Sequence, residues 1–412
     1  MNATHSHSDR KRKRIAGWQP FFQGGGAEAV ALWILGALHK KYDVTLYTLS
    51  DVDLTRLNKM YLTELSPQDI TVKAQLSDAQ GRCAYLRIAN ILVVLMASIY
   101  WTIQRFKRES AQYDVVMSAF NGVDLGRPGI QYLHWAKVVE NNSDKAEPWL
   151  KALMKWVDFS YENLCQSRSV ANSQYTAERV RKTYGIEADV LFPPVVTEVP
   201  AVPWQNKENA FLCSGRIVKP KQTHRAITIL KAVRKRGFDV QLHITGGGGG
   251  VYSSSYLRQV KAMARENADW VHLHQGLSYA DYLQLISKCR YGLHYKPEPF
   301  GISVAEMLKA DMIPFVRNFG GQMEIVGPEQ QDILFADQAD AIKKISHVLG
   351  DSDLQTNLLQ ALAPRKALFS TERFIDEIQS LVDRYVQDAD GLSSNAAGTD
   401  ALPADASPLP TA

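Results

Sequence analysis

Cysteine is scarce in this chain: there are four (Cys83, Cys165, Cys213 and Cys289), and no two form a C-x-x-C pair. That spacing supports neither a zinc ribbon nor a disulfide framework, and it fits a reducing, cytoplasmic setting. Charge of one sign is scarce too. Lys and Arg number 47 against 43 Asp and Glu, a net charge of +4, too small an excess to mark a nucleic-acid binder. Much of it sits in one run, Arg10 to Arg14, on a polar N-terminal tail. Such a run reads as a solvated tail, with contact to anionic lipid as the sharper reading. No apolar stretch follows it, so no secretory signal is expected.

Long apolar runs are limited to one. Ile88 to Gln104, "IANILVVLMASIYWTIQ", holds no charge and is bounded by Arg87 on one side and by Arg105, Lys107 and Arg108 on the other. Its length is at the lower limit for crossing a bilayer, about 17 residues. Strand-like segments precede and follow it, and a span there would tear a folded domain apart. The expectation is a helix docked on a sheet. A helix lying on a membrane surface, with Tyr100 and Trp101 at the interface, is the other reading.

What is present is a repeated alternation. "DVTLYTL", "YDVVMSAF", "GIQYLHW" and "ADVLFP" read as buried strands, with helical stretches such as Ala27 to His39 and Gln174 to Tyr184 between them. After about Pro200 the pattern starts again with "AFLCSG", the helix "THRAITILKAVRKRG" and "DVQLHIT". Alternating short strands and helices imply parallel sheets with right-handed crossovers, and 412 residues exceed what one core usually serves. The fold class expected is α/β, with two Rossmann-like domains facing a central cleft. The boundaries read as a basic tail over 1–14, domains over 15–198 and 199–370, a helix over 371–387, and a disordered tail over 388–412. The join, "FPPVVTEVPAVPWQNKEN", is stiffened by four prolines.

In open α/β sheets ligands sit beyond the carboxyl ends of the strands, so residues at those ends are the candidates. Gly24, Gly25 and Gly26 open an apolar helix, where backbone N–H groups can meet a phosphate. With Ala29 they also spell G-x-G-x-x-A. However, "RIAGWQPFF" before them reads as a poor strand containing a proline, and no clear ribose-binding acid follows. His134 closes "GIQYLHW" and faces the cleft. Arg216 and Lys221, in "SGRIVKPKQ", place two cations beside a strand end, which suits a pyrophosphate. Gly246 to Gly250 form a loop at another strand end and match no phosphate fingerprint. Asp51-x-Asp53 reads as a turn rather than a metal site.

"KPEPFGISVAEML" is the most informative stretch. Glu298 and Phe300 occupy a strand-to-helix loop, Gly301 lets backbone approach a ligand, and the unpaired N–H groups from Ile302 onward form an anion site. Helical side chains tilt toward the N-terminus, so Glu306 points back at that site from one turn deeper. A carboxylate there cannot bind phosphate. It can accept from two vicinal hydroxyls such as a ribose diol, and Glu298 can do the same for a sugar.

These pieces together resemble glycosyltransferase family 4, retaining enzymes of the GT-B fold. The resemblance rests on "GGGAEAVAL", "IQYLHW", "VANSQYTAERVRKTYG", "LFPPV", "SGRIVKPKQ", "EPFGISVAEM" and "FGGQMEIV", in that order from about residue 24 to 326. The E-x7-E element from Glu298 to Glu306 is the most specific. The triple glycine and the Pro-Pro linker are most similar to α-mannosyltransferases acting on lipid-linked oligosaccharides at the cytosolic membrane face. The resemblance implies transfer of a hexose from a GDP- or UDP-sugar to a glycan or lipid-linked acceptor, with no metal or other cofactor. It implies that Arg216 and Lys221 neutralise the leaving diphosphate, that Glu298 contacts the donor sugar near the backbone of Phe300 to Ile302, and that Glu306 holds the ribose. His134 would line the transfer site, and Gly25 and Gly26 would approach the donor phosphates or the acceptor. The first domain would serve the acceptor, the second the nucleotide sugar, and the final helix would return to the first. A nucleotide-sugar epimerase, a phosphorylase and a non-catalytic scaffold of the same fold are the alternatives. One departure stands out: Asp311 occupies the place where the family has a glycine closing the E-x7-E helix, so a shifted helix end is expected.

Overall fold

A computed structural model describes residues 12–22, 25–76, 92–136, 148–247 and 254–397. Gly24, Cys83, the chain before Arg12 and the glycines from Gly248 to Gly250 lie outside the described residues. The first half of the chain runs β1 (Arg14–Trp18), α1 (Gly26–Leu38), β2 (Asp43–Ser50), α2 (Leu54–Tyr61), β3 (Ile70–Leu76), α3 (Leu92–Glu109), β4 (Val115–Ser118), β5 (Ile130–Leu133), α4 (Pro148–Trp156), α5 (Tyr161–Gln166), β6 (Arg168–Ala171), α6 (Gln174–Tyr184) and β7 (Ala188–Val190). The second half begins with β8 (Glu208–Ser214), α7 (His224–Arg234), β9 (Gln241–Thr245), α8 (Ser254–Glu266), β10 (Val271–His274), α9 (Tyr279–Lys288) and β11 (Cys289–His294). It continues with α10 (Ile302–Lys309), β12 (Ile313–Arg317), α11 (Gln322–Val326), β13 (Leu334–Phe335), α12 (Gln338–Leu349), α13 (Ser352–Leu362) and α14 (Thr371–Ala397).

Two parallel sheets result. The first has seven strands in the order β3-β2-β1-β4-β5-β6-β7, and the second six in the order β10-β9-β8-β11-β12-β13. In each sheet the order reverses beside the first strand, between β1 and β4 and between β8 and β11. Those switch points are where crevices open at the carboxyl ends.

The "RIAGW" segment corrects the sequence reading. It is a central strand, pairing Ile15 with Val44 on one side and Val115 on the other. Pro20 lies beyond its end and costs it no ladder bond. The uncharged run gives α3, which docks on this sheet. Ile103 and Phe106 are fully buried against Trp18 and Tyr47, each contributing about 1.5–3 kcal/mol, and the Trp18 indole donates to Thr102 Oγ1 over 3.1 Å. Among the described residues, no helix is long and apolar enough to cross a membrane.

Helix α14 returns to the first sheet. Phe374, Ile378, Leu381 and Val382 enter the core formed by α1 and β2, and Tyr385 donates to Pro128 O over 3.0 Å. It runs past the expected stop near residue 387 to Ala397, since no proline interrupts it before Pro403. The extended linker is held by its own backbone: Val195 N donates to Phe369 O at 3.0 Å, and Val196 O accepts from the Tyr279 hydroxyl at 2.7 Å.

The expected shift at Asp311 does not occur. Asp311 itself adopts the left-handed conformation, with φ of 54°. Its N–H donates to Leu308 O and the Met312 N–H to Met307 O, both at 3.1 Å, which is the paired pattern that normally has glycine at its corner. Lys366 pairs with the Asp311 carboxylate.

Candidate functional site

Two loops converge at the switch point of the second sheet. The loop after β8 carries Arg216 and Lys221, and the loop after β11 carries Lys296 and Glu298. Lys221 Nζ lies 2.6 Å from Glu298 Oε1, and Lys296 Nζ lies 3.4 Å from the same oxygen. Burial pushes the Glu298 carboxyl up, but Lys221, His294 and Lys296 outweigh it and hold the group below the ordinary carboxylate range. The loop is pinned at its backbone as well. Glu298 N donates to Gln322 Oε1 at 2.7 Å, and Glu298 O accepts from Gly321 N at 2.8 Å. Glu298 is therefore an ionised acceptor in a fixed place. Arg216 is exposed, has no carboxylate partner among the described residues, and lines a pocket with Lys221 and His294. Two cations thus face that pocket, with only Lys221 paired.

The start of α10 supplies the next part. Gly301 precedes it with φ of 108°, and no side chain caps the helix. The first N–H groups of α10 are therefore open to an anion. Phe300 contributes backbone alone, because its ring is buried against Phe192 and Phe369. Across the cleft, α1 also starts without a side-chain cap, after Gly25. A Cβ added at Gly26 would stand 2.3 Å from Ile302 Cδ1, so the two uncapped helix starts face each other in contact. Gly25 is tethered by Tyr61, whose hydroxyl accepts from its N–H at 2.7 Å and donates to its carbonyl at 3.1 Å.

Glu306 lies one turn into α10, as expected, and is half-buried. The Tyr282 hydroxyl donates to Glu306 Oε2 over 2.8 Å and lies 3.2 Å from Ser214 Oγ. Burial pushes the Glu306 carboxyl up to about 7, and the Tyr282 hydrogen bond only partly offsets it. Burial also raises the Tyr282 hydroxyl well above its ordinary range, so tyrosine remains the donor. Glu306 keeps one oxygen for a second partner.

His134 sits at the end of β5, buried, with Nε2 donating to Ala119 O at 3.0 Å. Burial pulls the ring down to about 4, against the pull of that carbonyl. It is a neutral imidazole with Nδ1 as its acceptor nitrogen. Asn121 fixes the turn by accepting from the N–H groups of His134 and Trp135 at 2.8 and 3.0 Å. Among the described residues no hydrogen bond joins His134 to Lys221, Glu298 or Glu306. The structure thus brings together Arg216, Lys221, Glu298, Gly301, Ile302 and Gly26, with Glu306 one turn deeper and His134 on the first domain's wall.

Sequence reasoning missed His294, Tyr282 and Glu324. His294 ends β11 beside Lys221, 94% buried, with Nε2 lacking a hydrogen-bond partner among the described residues. Burial, then the Lys221 ammonium, pull it down to about 4. The strand-end rule that marks His134 marks His294 equally. Tyr282 gave no signal, since its contact to Glu306 spans 24 residues. A cleft of about 450 Å³ adjoins Glu298, walled by Trp135, Tyr175 and Arg179 on one side and Pro297 and Pro299 on the other. Asp53 Oδ1 caps α2 by accepting from Arg56 N at 3.0 Å.

Comparisons with known proteins agree with this architecture. Residues 197–362 match the family described as Glycosyl transferases group 1. No curated protein sequence matches the chain. Among solved structures it is similar to Anabaena Alr3699/HepE in complex with UDP and glucose, at 15% identity over 90% of this chain and 99% of that one, with a TM-score of 0.64. It is also similar to WaaG, a glycosyltransferase involved in lipopolysaccharide biosynthesis, at 16% identity over 88% and 99%, TM-score 0.61. A third is sucrose-phosphate synthase from Thermosynechococcus elongatus, at 14% identity over 92% and 100%, TM-score 0.63. The chain therefore has the GT-B fold, and residues 197–362 within it match the family described as Glycosyl transferases group 1.

Proposed function

We propose that this protein is a retaining glycosyltransferase of family 4 type that moves a hexose, mannose or glucose in type, from a GDP- or UDP-sugar to a glycan or lipid-linked acceptor. The observation that carries this reading is the Lys221–Glu298 pair at 2.6 Å, set beside two uncapped helix starts at the switch point. A cation and helix N–H groups suit a diphosphate, and an ionised carboxylate between them suits sugar hydroxyls. Glu306, with one oxygen already occupied by Tyr282, takes the ribose diol.

In this reading Arg216, Lys221 and the N–H groups of α10 stabilise charge as it develops on the leaving diphosphate. They take the role a metal plays elsewhere, so no metal is called for. The acceptor hydroxyl enters through the cleft beside Trp135 and Tyr175 and attacks the sugar face from which the diphosphate leaves, its proton passing to the departing diphosphate oxygen. His134, neutral and fixed, lines that wall as an acceptor for a hydroxyl. Domain closure keeps water from the reacting sugar.

In this reading the acceptor side meets an anionic membrane surface, on the cytoplasmic face. Trp101 and Trp156, exposed by 40% and 47%, support this, with Arg108 exposed at the end of α3. The test is incubation with UDP- and GDP-hexoses and candidate acceptors, with the product's anomeric configuration read by NMR. The reading expects a glycoside with the donor's configuration. An inverted glycoside, or a new free sugar formed without acceptor, contradicts it.

A further inference from the structure

A helix leaves its first N–H groups without intrahelical partners, and side chains of its own first turn usually meet them. Helix α6 of the first domain is different. Its N-cap Ser173 accepts from Thr176 N at 3.0 Å. The amides of Gln174 and Tyr175 donate instead to Glu324 on α11 of the second domain, each at 2.7 Å to a separate carboxylate oxygen. A third bond crosses the cleft nearby, from Ser173 Oγ to Pro299 O at 2.6 Å. The Phe319 ring meets the Tyr175 ring edge-on at 5.5 Å.

The second-domain partners of α6 are tied to the loop that carries Glu298. Pro299 follows it directly. Gln322, one helical half-turn before Glu324, accepts from Glu298 N at 2.7 Å. Arg365 braces α11 from behind, donating to the carbonyls of Glu324 and Ile325.

We propose that Glu324 is a positioning residue, a carboxylate latch that caps α6 from the opposite domain and so sets the closed arrangement of the cleft. Its charge lies at the positive end of the α6 dipole, which strengthens both bonds. Opening the cleft strips two amides of their acceptor and a carboxylate of its donors at once, so the latch favours two discrete arrangements over a continuum. The proposal needs no nucleotide and holds whichever sugar is transferred.

The test uses the full chain and two substitutions on opposite sides of the cleft. Glu324→Gln keeps the shape and removes the charge. Gln174→Pro removes one donor at the first helical position, where proline is tolerated and where Ser173, at φ −165° and ψ 157°, already has the backbone that precedes proline. Amide exchange at Tyr175 is expected to quicken about tenfold or more in Glu324→Gln, with the amides of β6 and α7 unchanged. The radius of gyration from small-angle scattering is expected to rise in both variants. An unchanged radius in both, or faster exchange spread evenly through α6 and β6, overturns the latch in favour of a local cap.

Discussion

The Tyr282 hydroxyl donates to Glu306 Oε2 over 2.8 Å, and the Glu306 carboxyl nevertheless stands at about 7. Burial outweighs the hydrogen bond. Above pH 7 Glu306 is ionised and, in the proposed role, accepts from the ribose hydroxyls as well as from Tyr282; below it, a proton occupies one acceptor site. Nucleotide affinity is therefore expected to fall as pH drops from 8 to 6, followed by calorimetry, and Glu306→Gln is expected to flatten that dependence.

The same group fixes a stability trend. A carboxyl raised in the folded state binds its proton more tightly folded than unfolded. Its contribution to stability is present below its ordinary pKa of 4.5 and is lost as pH rises through about 7. Glu306→Gln should then stabilise the protein at pH 8, read as a higher Tm, with little change at pH 4.5. At the same time it should weaken nucleotide binding about tenfold. Such a trade of stability for a charged site residue is the mark of a functional carboxylate.

Lys221 and Glu298 form a pair whose members depend on each other. Lys221→Met leaves Glu298, 15% exposed, with only the more distant Lys296. That should cost about 1–3 kcal/mol in chemical denaturation and lower transfer by about a hundredfold or more. Adding Glu298→Gln should restore much of the stability and none of the turnover.

Helix α3 separates packing from membrane contact. Phe106 is fully buried, so Phe106→Ala should cost about 3–5 kcal/mol. Trp101 and Trp156 are 40% and 47% exposed, so their joint replacement by alanine should leave the fold intact, read by circular dichroism, and reduce flotation with anionic vesicles. Equal flotation of wild type and variant removes the membrane contact from the account.

Asp311 holds a left-handed backbone that glycine adopts without strain. Asp311→Gly should raise stability by about 0.5–1 kcal/mol, net of the lost Lys366 pair. Asp311→Val should lower it.

Much of the site was legible because it is local. The loop from Lys296 to Glu306 places a glycine, a helix start and two carboxylates within one short segment, and helix geometry alone tilts Glu306 back toward that helix start. β1 was misread because Pro20 lay inside the apolar stretch, although it falls past the last ladder bond. Glu324 was visible within "FGGQMEIV", but its capping role was not, since its partners lie about 150 residues away and on the other domain. Tyr282 was hidden for the same reason. Contacts made by docking two sheets leave no periodicity in either segment.

Calorimetric titration of wild type, Lys221→Ala and Glu306→Ala with UDP, GDP and their hexose conjugates tests the central claim most directly. The account predicts that one nucleotide series binds wild type, and that each substitution weakens it at least about tenfold. Binding of neither series, or undiminished affinity in both variants, would contradict it.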